Sequence, residues 1–185
     1  MKKIIIGVLV GSARKGSFSR TVAETLAGLM PPDFEMRILE IADMPLYNQD
    51  FDDEGKVPVT YTRFRDQVRE CDGFLFVTPE HNRSVPALLK NALDVGSRPM
   101  ASSVWRGKPG AIVSVSPGNF GGFGANHILR QTMAVLNVFM MQQPEAYVGN
   151  VRGMIDADGR ITDEKSLGFL KKMAEGYADW VKRFL

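Results

Sequence analysis

Seven residues near the start, Ile4-Ile5-Ile6-Gly7-Val8-Leu9-Val10, carry no polar side chain and run straight into Gly11-Ser12-Ala13-Arg14-Lys15-Gly16-Ser17. An unbroken apolar run without alternation is how a strand covered on both faces reads, so the chain is constrained to a sheet with helices on either side. The run is far shorter than the roughly 18 residues that suggest a membrane-spanning helix. Basic residues follow where a signal peptide would need a small-residue cleavage site, so we read a first strand over Lys3 to Val10 and expect no membrane span.

The rest of the chain repeats this alternation. With Ser17 or Ser19 as cap, Val22, Leu26 and Leu29 recur at helical spacing until Pro31-Pro32 stops them. Glu35 to Ile41 predicts a second strand, with Met36, Ile38 and Glu40 on one face, and Tyr61 to Glu70 a helix. Gly73 to Thr78 predicts a third strand, Pro86 opens a helix through Val95, and Gly110 to Val115 predicts a fourth strand. A fourth crossover helix is expected over Ala125 to Leu136 and a fifth strand within Met140 to Val148. Leu167, Leu170, Ala174, Tyr177, Val181 and Phe184 then mark one apolar face of a last helix. The connection Ala42 to Val59 is long enough to serve as a lid or contact loop.

This alternation predicts an α/β fold, a doubly wound parallel sheet in three α/β/α layers, within one domain spanning 1–185. The chain is too short for a six-stranded dinucleotide fold with a separate substrate domain, whereas five strands in the order 2-1-3-4-5 leave no residues over. With 44% hydrophobic and 24% charged residues, the composition is that of a folded globule. Its 23 basic and 21 acidic side chains are spread along the chain, which argues against a nucleic-acid partner. The lone Cys71 excludes an intrachain disulfide and any multi-cysteine metal site, and points to the cytoplasm. Cys71 and the methionines are read as packing residues and His127 as a packing or surface residue, and no metal site is expected.

In such a sheet the ligand lies at the carboxyl ends of the central strands. The loop Gly11 to Arg20 combines hydroxyls, glycines and cations at the start of a helix, which suits an anion, although a capped helix with a solvated turn explains the same residues. Gly11 and Gly16 have the spacing of a triphosphate-binding loop, but Ser17 stands where that loop needs lysine, and Thr78 ends the third strand where it needs aspartate. A Gly-x-Gly-x-x-Gly dinucleotide fingerprint is also missing, leaving a single phosphate such as that of FMN. The loop Thr78 to Pro86 is stiffened by proline and offers backbone groups to a planar heterocycle; Glu80 and His81 are the alternative, an acid and base pair, although adjacent residues rarely converge on one atom. Ser116 to Gly124 allows close backbone approach, with Phe120 and Phe123 walling a flat ring; the alternative is a flexible surface loop whose phenylalanines pack on the sheet.

Taken together, Gly11-Ser12-x-Arg14-x-x-Ser17-x-x-Arg20, Pro79-Glu80-His81-Asn82-x-Ser84-x-Pro86 and Leu89-Lys90-Asn91-Ala92-Leu93-Asp94 leading to Ser97-Arg98-Pro99 resemble the flavodoxin-like NADPH-dependent FMN reductases, most closely their chromate and quinone reductase branch. Pro45-Leu46-Tyr47-Asn48 and Gly121-Gly122 also fit, so the resemblance runs through nearly the whole chain. It implies that Ser12, Arg14, Ser17, Phe18 and Ser19 surround the FMN phosphate. It also implies that Pro79, Glu80, His81, Asn82, Arg83 and Ser84 follow the isoalloxazine ring, and that Ser116 contributes from the third loop. His81 departs from the pattern, which usually has tyrosine there.

The activity so implied is NAD(P)H oxidation by a ping-pong, two-electron route through flavin N5 to quinones, chromate or similar small acceptors. The cofactor carries the chemistry, so no catalytic side chain is expected. The resemblance further suggests a homodimer or homotetramer, with the helix from Pro86, the Arg98 region and the Tyr47 loop as contacts. A flavodoxin-type electron carrier, or a flavin-binding regulator without pyridine-nucleotide turnover, is the alternative. Such carriers are usually strongly acidic, whereas Arg14, Lys15, Arg20 and Arg83 near the expected site suit anionic NADPH or oxyanions.

Overall fold

The computed structural model describes residues 2–185. Its strands are β1 (Ile4–Val10), β2 (Phe34–Ile38), β3 (Gly73–Pro79), β4 (Pro109–Val115), β5 (Phe139–Met140) and β6 (Ala146–Val148). All pair in parallel, in the order β2-β1-β3-β4-β5, with β6 also on β4. This is the expected 2-1-3-4-5 arrangement. The helices are α1 (Phe18–Leu29), α2 (Asp50–Asp53), α3 (Val59–Arg69), α4 (Ala87–Ser97), α5 (Phe123–Leu136) and α6 (Glu164–Lys182). No helix among the described residues is long and apolar enough to cross a membrane.

The two faces of the sheet follow from the pleat, because successive side chains point to opposite sides. Ile6, Val8 and Val10 join Leu75, Val77 and Val113 beneath α1 and α6. Leu9, Phe74, Phe76 and Ile112 lie on the other face, against Phe64 and Val68 of α3, Leu89 and Leu93 of α4, and Leu129 and Met133 of α5. Tyr177 of α6 is anchored by its hydroxyl, which donates to the Phe74 carbonyl at 2.7 Å. Since α1 covers one face and α3 and α4 the other, the chain leaves neighbouring strands β1 and β3 toward opposite sides. That divergence opens a crevice at their carboxyl ends.

Three local expectations change. The second strand stops at Ile38 rather than Ile41: the Leu39 amide still donates to Val8 at 2.9 Å, but Glu40 turns to solvent and its carboxylate accepts the Ala42 amide at 2.8 Å. The fifth strand is broken, β5 pairing with Pro109 and Gly110 and β6 with Val113 to Val115, because Pro144 lies between and has no amide to donate. The connection Ala42 to Val59 is strapped down rather than free to act as a lid. Asn91 accepts the Tyr47 amide at 2.8 Å and donates to the Pro45 carbonyl at 2.9 Å. Asp52 of α2 receives both terminal nitrogens of Arg65 at 2.7 and 2.8 Å, while Arg65 Nε donates to the Val95 carbonyl of α4 at 2.9 Å.

Candidate active site

A cleft of about 760 Å³ opens where β1, β3 and β4 end, walled by the loops that follow them. At one end is the start of α1. Ser17 caps the helix, its hydroxyl accepting the Arg20 amide at 3.4 Å, so the amides of Phe18 and Ser19 in the first turn have no intrahelical acceptor and face outward. Arg14 is held beside them by its own loop: its guanidinium donates to the Lys15 and Gly16 carbonyls at 3.1 and 2.7 Å and lies 5.4 Å from the centre of the Phe18 ring. Ser12 accepts the Arg14 amide at 3.4 Å. Gly11 allows this loop to approach the next, since a Cβ there would stand 3.1 Å from both Pro79 Cδ and Thr78 Oγ1.

At the other end, the loop after β3 folds into a miniature hairpin. His81 and Ser84 exchange backbone hydrogen bonds at 3.0 and 2.9 Å, with Asn82 and Arg83 at positive φ of 50° and 62° in the turn. Pro79, Glu80 and His81 stand on the cleft wall, whereas Asn82, Arg83 and Ser84 do not. Arg83 instead reaches Glu80 at 3.3 Å and lies over the Phe120 ring. The Glu80 carboxylate is committed elsewhere, accepting the Ala125 amide at the start of α5 at 3.1 Å on one oxygen and Arg83 at 3.3 Å on the other, so it is not paired with His81 as acid and base.

The loop after β4 contributes Ser116, whose amide donates to Val148 at 2.9 Å and whose hydroxyl accepts the Gly118 amide at 3.1 Å. Phe120 and Phe123 are 72% and 52% exposed and lie off the cleft wall, so neither walls a ring within the chain. Phe123 packs on His127, whose Nε2 meets the Tyr147 hydroxyl at 3.0 Å; Tyr147 donates to Glu145 at 2.8 Å. Burial and the neighbouring Glu145 push the Tyr147 phenol up to about 12.

The cleft thus brings together Ser12, Arg14, Ser17, Phe18, Ser19, Pro79, Glu80, His81 and Ser116. Sequence reading missed Arg152 on the same wall. It comes from a short 3₁₀ turn, Val151–Met154, tied to the third loop by the Val151 amide on the Ser116 carbonyl at 3.3 Å. No spacing or periodicity marks such a residue, and only its register beside β4 puts it there.

These residues fit FMN. The cleft volume is that of a small-molecule site. One end offers helix-terminal amides, hydroxyls and a cation to a phosphate. Glu80, the only acidic side chain on the wall among the described residues, is turned into α5 and does not oppose an anion.

Comparison with known proteins agrees. The model of the NADPH-dependent FMN reductase family matches residues 4–153. A quinone reductase of Pseudomonas putida is 51% identical over 177 residues, covering 96% of this chain and 94% of its own. A 2-hydroxy-1,4-benzoquinone reductase of a Burkholderia species is 44% identical, covering 96% of each chain. Among solved structures, FerB, a flavoenzyme NAD(P)H:acceptor oxidoreductase from Paracoccus denitrificans, superposes with a TM-score of 0.90 at 35% identity, covering 97% of this chain and 98% of its own. The chain therefore belongs to the NADPH-dependent FMN reductase family, as an oxidoreductase with FMN as cofactor and NAD(P)H as reductant.

Proposed function

We propose that this oxidoreductase is a quinone reductase, with chromate and similar oxyanions as further acceptors, and that reductant and acceptor occupy one open face in turn, a ping-pong order. The observation that carries the reading is a cleft with an anion-binding end, a flat proline-braced end and no uncommitted carboxylate. Two relatives that align over nearly their full lengths bear quinone reductase names, which supports the choice of acceptor.

When bound, FMN would supply the hydride chemistry that links NAD(P)H to the acceptor. The chain's own residues bind and orient. Ser12, Ser17, Ser19 and the first amides of α1 hold the phosphate, with Arg14 balancing its charge and Phe18 packing beneath the guanidinium. Pro79, Glu80 and His81 meet the ring edge through backbone groups, the turn of Asn82, Arg83 and Ser84 holds them in place from behind, and Ser116 supports the ring from the third loop. No side chain of the cleft is needed to move a proton. A homodimer or homotetramer completes the proposal, with the Tyr47 loop, α4 and Arg98 as the interface. A cytoplasmic location suits the lone buried Cys71.

The test is an absorption spectrum of protein loaded with FMN and gel-filtered, followed anaerobically by NADPH and then a quinone. Bleaching by NADPH and recovery with quinone are expected. Bound flavin that NADPH fails to bleach would mark an electron carrier or regulator instead.

A further inference from the structure

Helix α5 is preceded by Gly122 as its N-cap residue, in the left-handed region at φ 75°, and has no side-chain cap of its own. The missing acceptor arrives from a different loop. Glu80, one residue past β3, places its Oε2 3.1 Å from the Ala125 amide in the first turn of α5. A carboxylate is favoured there because the first helical amides lack partners and the helix dipole is positive at that end.

Three further observations show that the contact is built rather than incidental. The Glu80 side chain is only 13% exposed, so it is not an ordinary surface pair. Gly124 makes the room: a Cβ at that position would stand 2.9 Å from Glu80 Oε2 and 3.1 Å from the Arg83 carbonyl. Arg83 adds a second tie in the same direction, donating to Glu80 Oε1 at 3.3 Å while its guanidinium lies 5.6 Å from the centre of the Phe120 ring in the glycine loop.

We propose that Glu80 is a positioning residue: its carboxylate latches the hairpin after β3 to the first turn of α5, and so sets the spacing of the two loops that flank the flavin ring. This rests on the ring placement given above. It assigns Glu80 a role without contact to substrate or participation in proton transfer. It also assigns Gly124 the role of admitting the latch.

The test compares FMN-loaded wild type with Glu80→Ala, Glu80→Gln and Gly124→Ala, reading the FMN dissociation constant from the fluorescence of released flavin and the ring environment from visible circular dichroism. Losing a hydrogen bond to a charged group lowers the share of molecules whose two loops hold the binding spacing, so Glu80→Ala should raise the apparent dissociation constant by about 10- to 100-fold and alter the flavin dichroism. Glu80→Gln keeps an acceptor oxygen and should stay within about threefold of wild type with an unchanged spectrum. Gly124→Ala, which must push back the Glu80 carboxylate and the Arg83 carbonyl, should weaken FMN binding in the same direction and by less than Glu80→Ala, although Glu80 is intact. The latch is overturned if Glu80→Ala binds FMN like wild type with the same dichroism, or if Glu80→Gln is as impaired as Glu80→Ala. Should Glu80→Ala fail to fold, a wild-type result for Gly124→Ala overturns it instead. Wild-type protein that retains no FMN overturns the proposed function itself, an outcome separate from any difference among the variants.

Discussion

Arg14 is gripped by two carbonyls of its own loop, so its charge is already in place when an anion reaches the start of α1. Replacing it should remove a charge-assisted bond to the phosphate and leave the ring end untouched. Arg14→Ala is expected to raise the FMN dissociation constant about 10- to 100-fold, with turnover of flavin-saturated enzyme within about threefold of wild type. Titration of flavin fluorescence alongside saturated rates checks this, and a defect confined to rate would reject the phosphate role. The loop was legible from sequence because hydroxyls, glycines and cations crowd one short stretch between strand and helix. Arg152 was not, since it joins the cleft through a 3₁₀ turn about 140 residues away in sequence. Glu80 was visible as a site residue but not as a latch, because its partner is a backbone amide and leaves no mark on the residue pattern.

At the scale of elements, two substitutions test the packing. Arg65 and Asp52 are 6% and 7% exposed, and together they join α2, α3 and α4. Asp52→Ala leaves a buried guanidinium without its counter-ion and should cost about 3–5 kcal/mol in urea unfolding. Gly96 of α4 lies flat against Trp105, where a Cβ would stand 2.6 Å from the indole. Gly96→Ala should therefore cost about 1–3 kcal/mol by overpacking, read from the same denaturation curves. Continuous apolar strands such as Phe74 to Val77 could be recognised in sequence because burial on both faces demands them. The two-part fifth strand could not, since its pieces are too short to carry a pattern and hold together only through β4.

For the whole molecule, alkaline pH is the vulnerable side. Burial raises the Cys71 thiol from 9.0 to about 11, and it also raises Tyr147 and, most strongly, Tyr177. A group whose folded value lies above its unfolded one favours the fold fully below the unfolded value. That contribution is lost as pH rises through the folded value. For Cys71 the window runs from about pH 9 to 11, with about 3 kcal/mol at stake. Urea unfolding at pH 8 and pH 10.5 should show a marked fall in wild type and a shallower one in Cys71→Ala; equal slopes would remove the thiol from the account. The parallel order of the sheet was readable at this scale because alternating strands and helices in so short a chain leave few arrangements open.

The strapped connection between Ala42 and Val59 has a consequence for how the protein meets a protease. Its length, polarity and exposure make it resemble a preferred cleavage segment, yet proteolysis requires several residues to detach and enter an extended conformation. Detachment here would break the Asn91 clasp and the Asp52–Arg65 pair at once. Limited digestion with a nonspecific protease should therefore spare this connection and nick the exposed turn around Asp156 to Gly159 first. The Asp52→Ala chain should instead be cut between Ala42 and Val59.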